Sequence, residues 1–211
     1  MKMKKIAITQ RIIDNDTYAE TRDALDVRWA GIFERLNYLP IIIPSNFDNI
    51  KFFKELEIDG IILSGGNDLS VFSQDKNSLK RDEQEKSLLN YAIKNKIPVL
   101  GICRGMQLMA EHFGGKLKKT NGHVGNKHKI TACKDSWFYK DIKNVTEVNS
   151  YHNYAVTVVP PGFKPSAKSA DGTFEAMECP EKKLFAIMWH PERNKPLEKS
   201  NINLIQHFFD A

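Results

Sequence analysis

Short apolar runs that alternate with stretches of helical spacing constrain this chain more than any other feature. The runs KKIAIT (4–9), LPIIIPS (39–45), DGIILSGG (59–66) and IPVLGIC (97–103) have strand length, and the residues between them repeat their apolar positions at helical intervals. The intervening pattern predicts helices in DALDVRWAGIFERLNYL (23–39), NIKFFKELEI (49–58), DEQEKSLLNYAIKN (82–95) and RGMQLMAEHFGG (104–115). Alternation of this kind predicts an α/β three-layer sandwich around a central, mainly parallel sheet, whose ligands bind at the carboxyl ends of the strands.

After residue 120 the texture shifts to short strands separated by Gly, Pro and Asn turns. The reading is an antiparallel or mixed extension of the same domain, closed by a helix in PLEKSNINLIQHFFDA (196–211). No repeat or linker divides the chain, so one domain over residues 1–211 is expected.

Composition excludes several function classes. No stretch approaches the roughly 20 apolar residues of a membrane span, and the basic start MKMKKIAIT lacks a signal peptide's apolar length, so the expected location is cytoplasmic. The three cysteines, Cys103, Cys133 and Cys179, lie far apart without C-x-x-C spacing, which suggests neither a disulfide framework nor a zinc site. The net charge of +5 is mild, and the basic segment KLKKTNGHVGNKHK (116–129) has no interleaved aromatics on which bases would stack, so nucleic acid is not an expected partner.

The chemistry concentrates at GICRG. Gly101 and Gly105 flank Cys103 at the spacing of a nucleophile elbow, where a strained strand-to-helix turn tolerates only tiny neighbours. The following helix would favour a thiolate at its amino terminus, and the Arg104 amide would face a developing oxyanion. The other reading of Cys103 is a small residue buried at a strand end.

A thiolate nucleophile needs a base with an orienting partner. His190 and Glu192 emerge together at the end of LFAIMWHPE (184–192), with Pro191 stiffening the turn between them. The glycine turn of IILSGGNDLS (61–70) would reach the same sheet edge, and Gly65 or Gly66 would supply a second oxyanion donor; a plain strand-ending turn explains that stretch equally well.

In order and interval, SGGNDLS, GICRGMQLM, VNSYHNYAV and WHPE resemble the class I glutamine amidotransferase-like family, in particular its γ-glutamyl hydrolase branch. The resemblance spans nearly the whole chain. It implies a flavodoxin-like fold and a Cys103–His190–Glu192 triad that attacks a γ-glutamyl amide through a thioester, with no metal or organic cofactor. It further implies that Gln107, Ser150, Tyr151 and His152 lie along the glutamyl pocket, and that Arg81, Asp82 and Glu85 are structural; His152 as a core histidine stays open.

Two functions follow from the resemblance: a free-standing hydrolase of a small γ-glutamyl conjugate, or a glutaminase feeding ammonia to a separate synthase. Arg104 after the cysteine is the branch's habit and favours the hydrolase. A silent regulator would have lost a triad member, and all three are present. The basic 116–129 segment suits a phosphate-bearing leaving group, with Lys118, Lys119, His123, Lys127 and His128 as its candidate contacts, and the resemblance implies a small substrate that can contain a nucleotide. Oligomeric state is left open.

Overall fold

A strand with apolar side chains on both faces avoids water only inside a covered sheet, and three of the four apolar runs lie there. The computed structural model of the chain describes residues 2–45 and 50–211. Its first half contains β1 (Lys5–Ile8), β2 (Arg11–Asp14), β3 (Thr21–Ala24), α1 (Trp29–Leu36), β4 (Leu39–Ile42), α2 (Ile50–Leu56), β5 (Gly60–Leu63), α3 (Ser70–Ser73), α4 (Lys76–Lys94), β6 (Val99–Ile102) and α5 (Arg104–His112). The second half adds β7 (Lys116–Lys119), β8 (Val124–Ala132), α6 (Tyr139–Ile142), β9 (Glu147–Tyr151), β10 (Tyr154–Val158), β11 (Lys164–Ser169), β12 (Phe174–Cys179), β13 (Leu184–Ile187) and α7 (Lys199–Asp210).

Strands β4, β1, β5, β6 and β13 lie side by side and parallel. Beyond β13 the sheet turns antiparallel through β12, β11, β8 and β9, and β10 pairs with both β12 and β7. The expected parallel centre with an antiparallel extension is therefore what forms. Strand β4, from the run LPIIIPS, is the edge rather than a buried strand, with Leu39 and Ile42 exposed.

The two helical layers follow from β5, whose residues alternate faces. A Cβ built on Gly60 would strike the ring of Phe209 in α7, whereas Leu63, three residues on, packs beside Gly105 of α5. Helices α7 and α1 cover one face, and α5, α4 and α2 the other. Helix α1 buries Trp29, Ile32, Phe33 and Leu36, the i, i+3, i+4, i+7 stripe of an amphipathic helix. No helix among the described residues is long and apolar enough to cross a membrane.

The structure corrects two boundaries. The helix predicted from Asp23 starts only at Trp29, because residues 21–24 pair with residues 11–14 in the β2–β3 hairpin and the Asp26 carboxylate then accepts the Arg28 amide at 3.0 Å. Helix α4 starts six residues before Asp82, since Asp75 caps it by accepting the Asn77 and Ser78 amides, both at 2.9 Å. Asn49, the first residue of the helix predicted over 49–58, lies outside the described residues.

Strand β6 runs into α5 with Cys103 at φ 50° and ψ −99°, a conformation unfavourable for an L-residue. The close approach that forces this turn shows at its glycines. A Cβ on Gly101 would sit 2.8 Å from the Gly105 carbonyl carbon, and one on Gly105 would run into the Leu63 carbonyl oxygen. Because both obstacles are backbone, neither can swing aside. Gly105→Ala is therefore expected to lower stability by about 1–3 kcal/mol in a denaturant titration; an unchanged midpoint would refute the tight β5–α5 contact.

Candidate active site

Cys103 and His190 are brought together by neighbouring strands. The Cys103 amide donates to the Ile187 carbonyl at 2.8 Å, tying the elbow to the end of β13, from which the chain runs directly to His190. His190 Nδ1 lies 2.7 Å from Glu192 Oε1, and the imidazole shares a cavity with Cys103, close enough for the two to couple electrostatically. All three side chains are buried.

The electrostatics of the pair are decided by opposing effects. Burial lowers the His190 pKa, but the Cys103 thiolate and the Glu192 carboxylate outweigh it and raise the imidazole to about 9. The imidazole is therefore held as imidazolium at neutral pH, the charge that suits a thiolate beside it.

His190 is held by its backbone as well. Asn149 on β9 donates its amide to the His190 carbonyl at 2.8 Å and accepts the His190 N–H at 2.9 Å, a two-point clamp. On the ring's other flank, a Cβ on Gly65 would stand 2.6 Å from His190 Cε1, so this position must be glycine.

The glycine turn after β5 is oriented by Arg81. Its guanidinium donates to the carbonyls of Ser64 (2.7 Å), Gly65 (3.1 Å) and Gly66 (3.1 Å). Because each peptide is planar and trans, fixing those carbonyls turns the Gly65 and Gly66 amides the opposite way. Gly66, at φ +95°, lines the same cavity as Cys103.

Arg81 is one corner of a buried charge quartet. Glu85 accepts from Arg81 Nε at 3.0 Å and pairs with Arg104, which also pairs with Asp82. Burial lowers the Arg81 pKa to about 10. Burial raises that of Glu85, but Arg104 and Arg81 outweigh this and leave it lowered. The quartet leaves the Arg104 backbone at the cavity and commits its side chain to α4.

The cavity over Cys103 has a volume of about 320 Å³; its lining includes Arg11, Gly66, Asp68, Gln107, Tyr151, His152 and His190. Gln107 donates to the Tyr154 carbonyl at 2.8 Å, and the Tyr151 ring stands edge-on to His190 at 5.8 Å. Ser150 is not brought there: it is fully buried and its hydroxyl donates to the His123 carbonyl at 2.6 Å. Tyr151 and Arg193, stacked at 4.4 Å from guanidinium to ring centroid, are shared with a neighbouring cleft of about 620 Å³ that carries Lys127, Lys195 and Lys199.

Of the five basic residues predicted to meet a phosphate, only Lys127 lines this cleft. Lys118 and Lys119 lie on β7 away from both cavities, and His123 and His128 turn inward toward Glu175 and His152. Arg11, Asn149 and Arg193 escaped the sequence reading. Arg11 was accessible in principle, since it follows the carboxyl end of β1, where ligands gather.

The chain matches the family model described as peptidase C26 over residues 6–192. It is 35% identical to the γ-glutamyl-CDP-amidate hydrolase of Campylobacter jejuni over 207 residues, covering 97% of this chain and 96% of that one. It is 38% identical to the glutamine-hydrolyzing GMP synthase of Streptococcus mutans over 170 residues, covering 79% of this chain but 29% of the synthase. Among solved structures, a glutamine amidotransferase of Thermotoga maritima shares the fold with a TM-score of 0.71 at 16% identity, covering all of this chain and 85% of that one.

His190 should titrate near pH 9 in an NMR experiment on its ring nitrogens, and both Glu192→Gln and Cys103→Ala should move the midpoint down by removing negative charge from the imidazolium. Because the folded pKa lies above the unfolded value, stability from these contacts is complete below about pH 6.5 and is lost as pH rises through about 9. A midpoint unmoved in both variants would contradict the coupling.

Proposed function

The chain belongs to the peptidase C26 family, and from that premise we propose that it hydrolyses the γ-glutamyl bond of a small conjugate whose leaving group bears a diphosphate, with γ-glutamyl-CDP-amidate as the specific substrate. One observation carries the reading: a buried Cys103–His190–Glu192 chain of contacts opens onto a cavity joined to a lysine-bearing cleft.

In this reading the glutamyl group occupies the smaller cavity, Arg11 faces its α-carboxylate and Asp68 its ammonium. The Cys103 thiolate attacks the γ-carbonyl carbon. The resulting oxyanion accepts hydrogen bonds from the Arg104 amide and from Gly65 or Gly66. As the tetrahedral intermediate collapses, the C–N bond breaks and the His190 imidazolium gives its proton to the departing nitrogen.

A γ-glutamyl thioester remains on Cys103. His190, now neutral, takes a proton from water, the hydroxide adds to the thioester carbon, and collapse releases glutamate and regenerates the thiolate. Glu192 keeps the imidazole oriented through both halves. These steps need no metal or organic cofactor, and the reduced thiol suits a cytoplasmic setting.

The larger cleft accounts for the choice of leaving group. Lys127, Arg193, Lys195 and Lys199 oppose the lone acidic lining residue Glu198, a balance suited to a diphosphate. The second reading, a glutaminase supplying ammonia to a synthase, draws on the identity to the S. mutans GMP synthase.

Glutamate release by the isolated protein separates the two. Turnover of γ-glutamyl-CDP-amidate with little on glutamine is expected; glutamine turnover appearing only with an added synthase would replace the hydrolase with the glutaminase. Cys103→Ala should cost at least about 10³-fold in kcat. A Lys127→Ala, Lys195→Ala double variant should raise KM for the diphosphate conjugate and leave a γ-glutamyl anilide unaffected; equal effects on both would remove the cleft from substrate recognition.

A further inference from the structure

Beside the cavity wall, three histidines and a glutamate converge where the proposed hydrolysis uses none of their side-chain nitrogens or oxygens. Their potential ligand atoms all lie within 4.8 Å of one another, and His123, His152 and Glu175 are buried. They come from different elements: His123 precedes β8, His128 lies on β8, His152 joins β9 to β10, and Glu175 lies on β12.

Proton bookkeeping shows what the cluster lacks. His152 Nδ1 is 3.0 Å from the Tyr154 carbonyl, which can only accept, so that nitrogen carries the hydrogen. His123 Nε2 is 2.9 Å from Asp171 Oδ2, again an acceptor. In neutral rings the remaining nitrogens, His123 Nδ1 and His152 Nε2, are bare lone pairs, and they face each other at 3.3 Å.

Glu175 Oε1 adds a third donor of electron density, 3.6 Å from His152 Nε2 and 3.1 Å from His128 Nε2. Despite these distances, neither His128 Nε2 nor either Glu175 oxygen has a hydrogen bond of sound geometry. The facing lone pairs of His123 Nδ1 and His152 Nε2 are costly to bury unless a proton or a metal cation stands between them.

The spacing fits one. A zinc ion held at about 2.0–2.1 Å has ligand atoms about 3.3 Å apart along each edge of its tetrahedron, against 3.1, 3.3 and 3.6 Å observed for three of the pairs. Three imidazoles and one carboxylate suit zinc and not the oxygen-seeking magnesium or calcium. The outer contacts of His123 to a carboxylate and of His152 to a carbonyl are those that orient metal-ligating histidines.

We infer that His123, His128, His152 and Glu175 form a structural zinc site that clasps β8, the β9–β10 junction and β12 against the cavity wall. Four protein ligands close the coordination sphere, so the ion takes no part in the reaction. It fixes His152, and through it the strand end that presents Tyr151. This inference stands whether or not the γ-glutamyl substrate is right.

The test uses the whole protein, stripped with a chelator and titrated with Co²⁺ and then Zn²⁺. One Co²⁺ per chain is expected, with the visible bands of a four-coordinate site that Zn²⁺ abolishes. His128→Gln should lose the bands and weaken zinc binding more than about 100-fold, and Asp171→Asn, at a half-exposed outer partner, should weaken it about 10–100-fold. Should His128→Gln fail to fold, the wild-type spectrum and Asp171→Asn decide. A wild type that binds neither ion, or variants that bind as tightly as wild type, would overturn the site and leave a protonated histidine cluster in its place.

Discussion

The buried quartet of Arg81, Asp82, Glu85 and Arg104 is the constraint on which the rest of the site depends. Removing one partner of such a cluster leaves a charge unpaired in the interior, at a cost of about 3–5 kcal/mol. The cluster also ties separate pieces of chain to one point. Glu85 accepts from Thr9 at the end of β1, Asp82 accepts from the amide and hydroxyl of Ser70, Arg81 takes the carbonyls after β5, and Arg104 starts the elbow helix. A single electrostatic knot thereby ties the glycine turn after β5 and the start of the elbow helix to one point.

Around that knot the two halves of the sheet divide the work. The parallel half contributes Cys103, the proposed nucleophile, and the amides proposed to face an oxyanion. The antiparallel half contributes the wall: Asn149 clamps the backbone of His190, and Tyr151 stands against its ring. Strand β13 joins the halves, being parallel to β6 on one side and antiparallel to β12 on the other. His190 therefore belongs to both, and neither half alone would hold it near the sulfur.

Legibility in the sequence followed the range of the interactions. The elbow was readable because its demands are local: two glycines beside a cysteine, with a strand before and a helix after. His190 and Glu192 were readable for the same reason, as neighbours across one proline. The β2–β3 hairpin was not, since Arg11–Asp14 and Thr21–Ala24 carry exposed polar residues with no apolar alternation. Asn149 and the histidine cluster were hidden more deeply, because their partners lie on strands whose pairing is set by the order of the whole antiparallel half. The inward turn of His123 and His128 reversed the expectation of a phosphate contact: Glu175 on β12 takes His128, and Asp171 and His152 take His123, none of them near in sequence.

The cavity and the adjoining cleft share only Tyr151 and Arg193. Apart from these and Asn149, the cleft is built from the start of β8 and from residues 194–199, segments that carry neither the sulfur, the imidazole nor the quartet. In the proposed reading, substitutions in the cleft change which leaving group is accepted without touching Cys103, His190 or the quartet. A scaffold divided in this way can give rise to descendants that keep one glutamyl chemistry and trade one departing group for another.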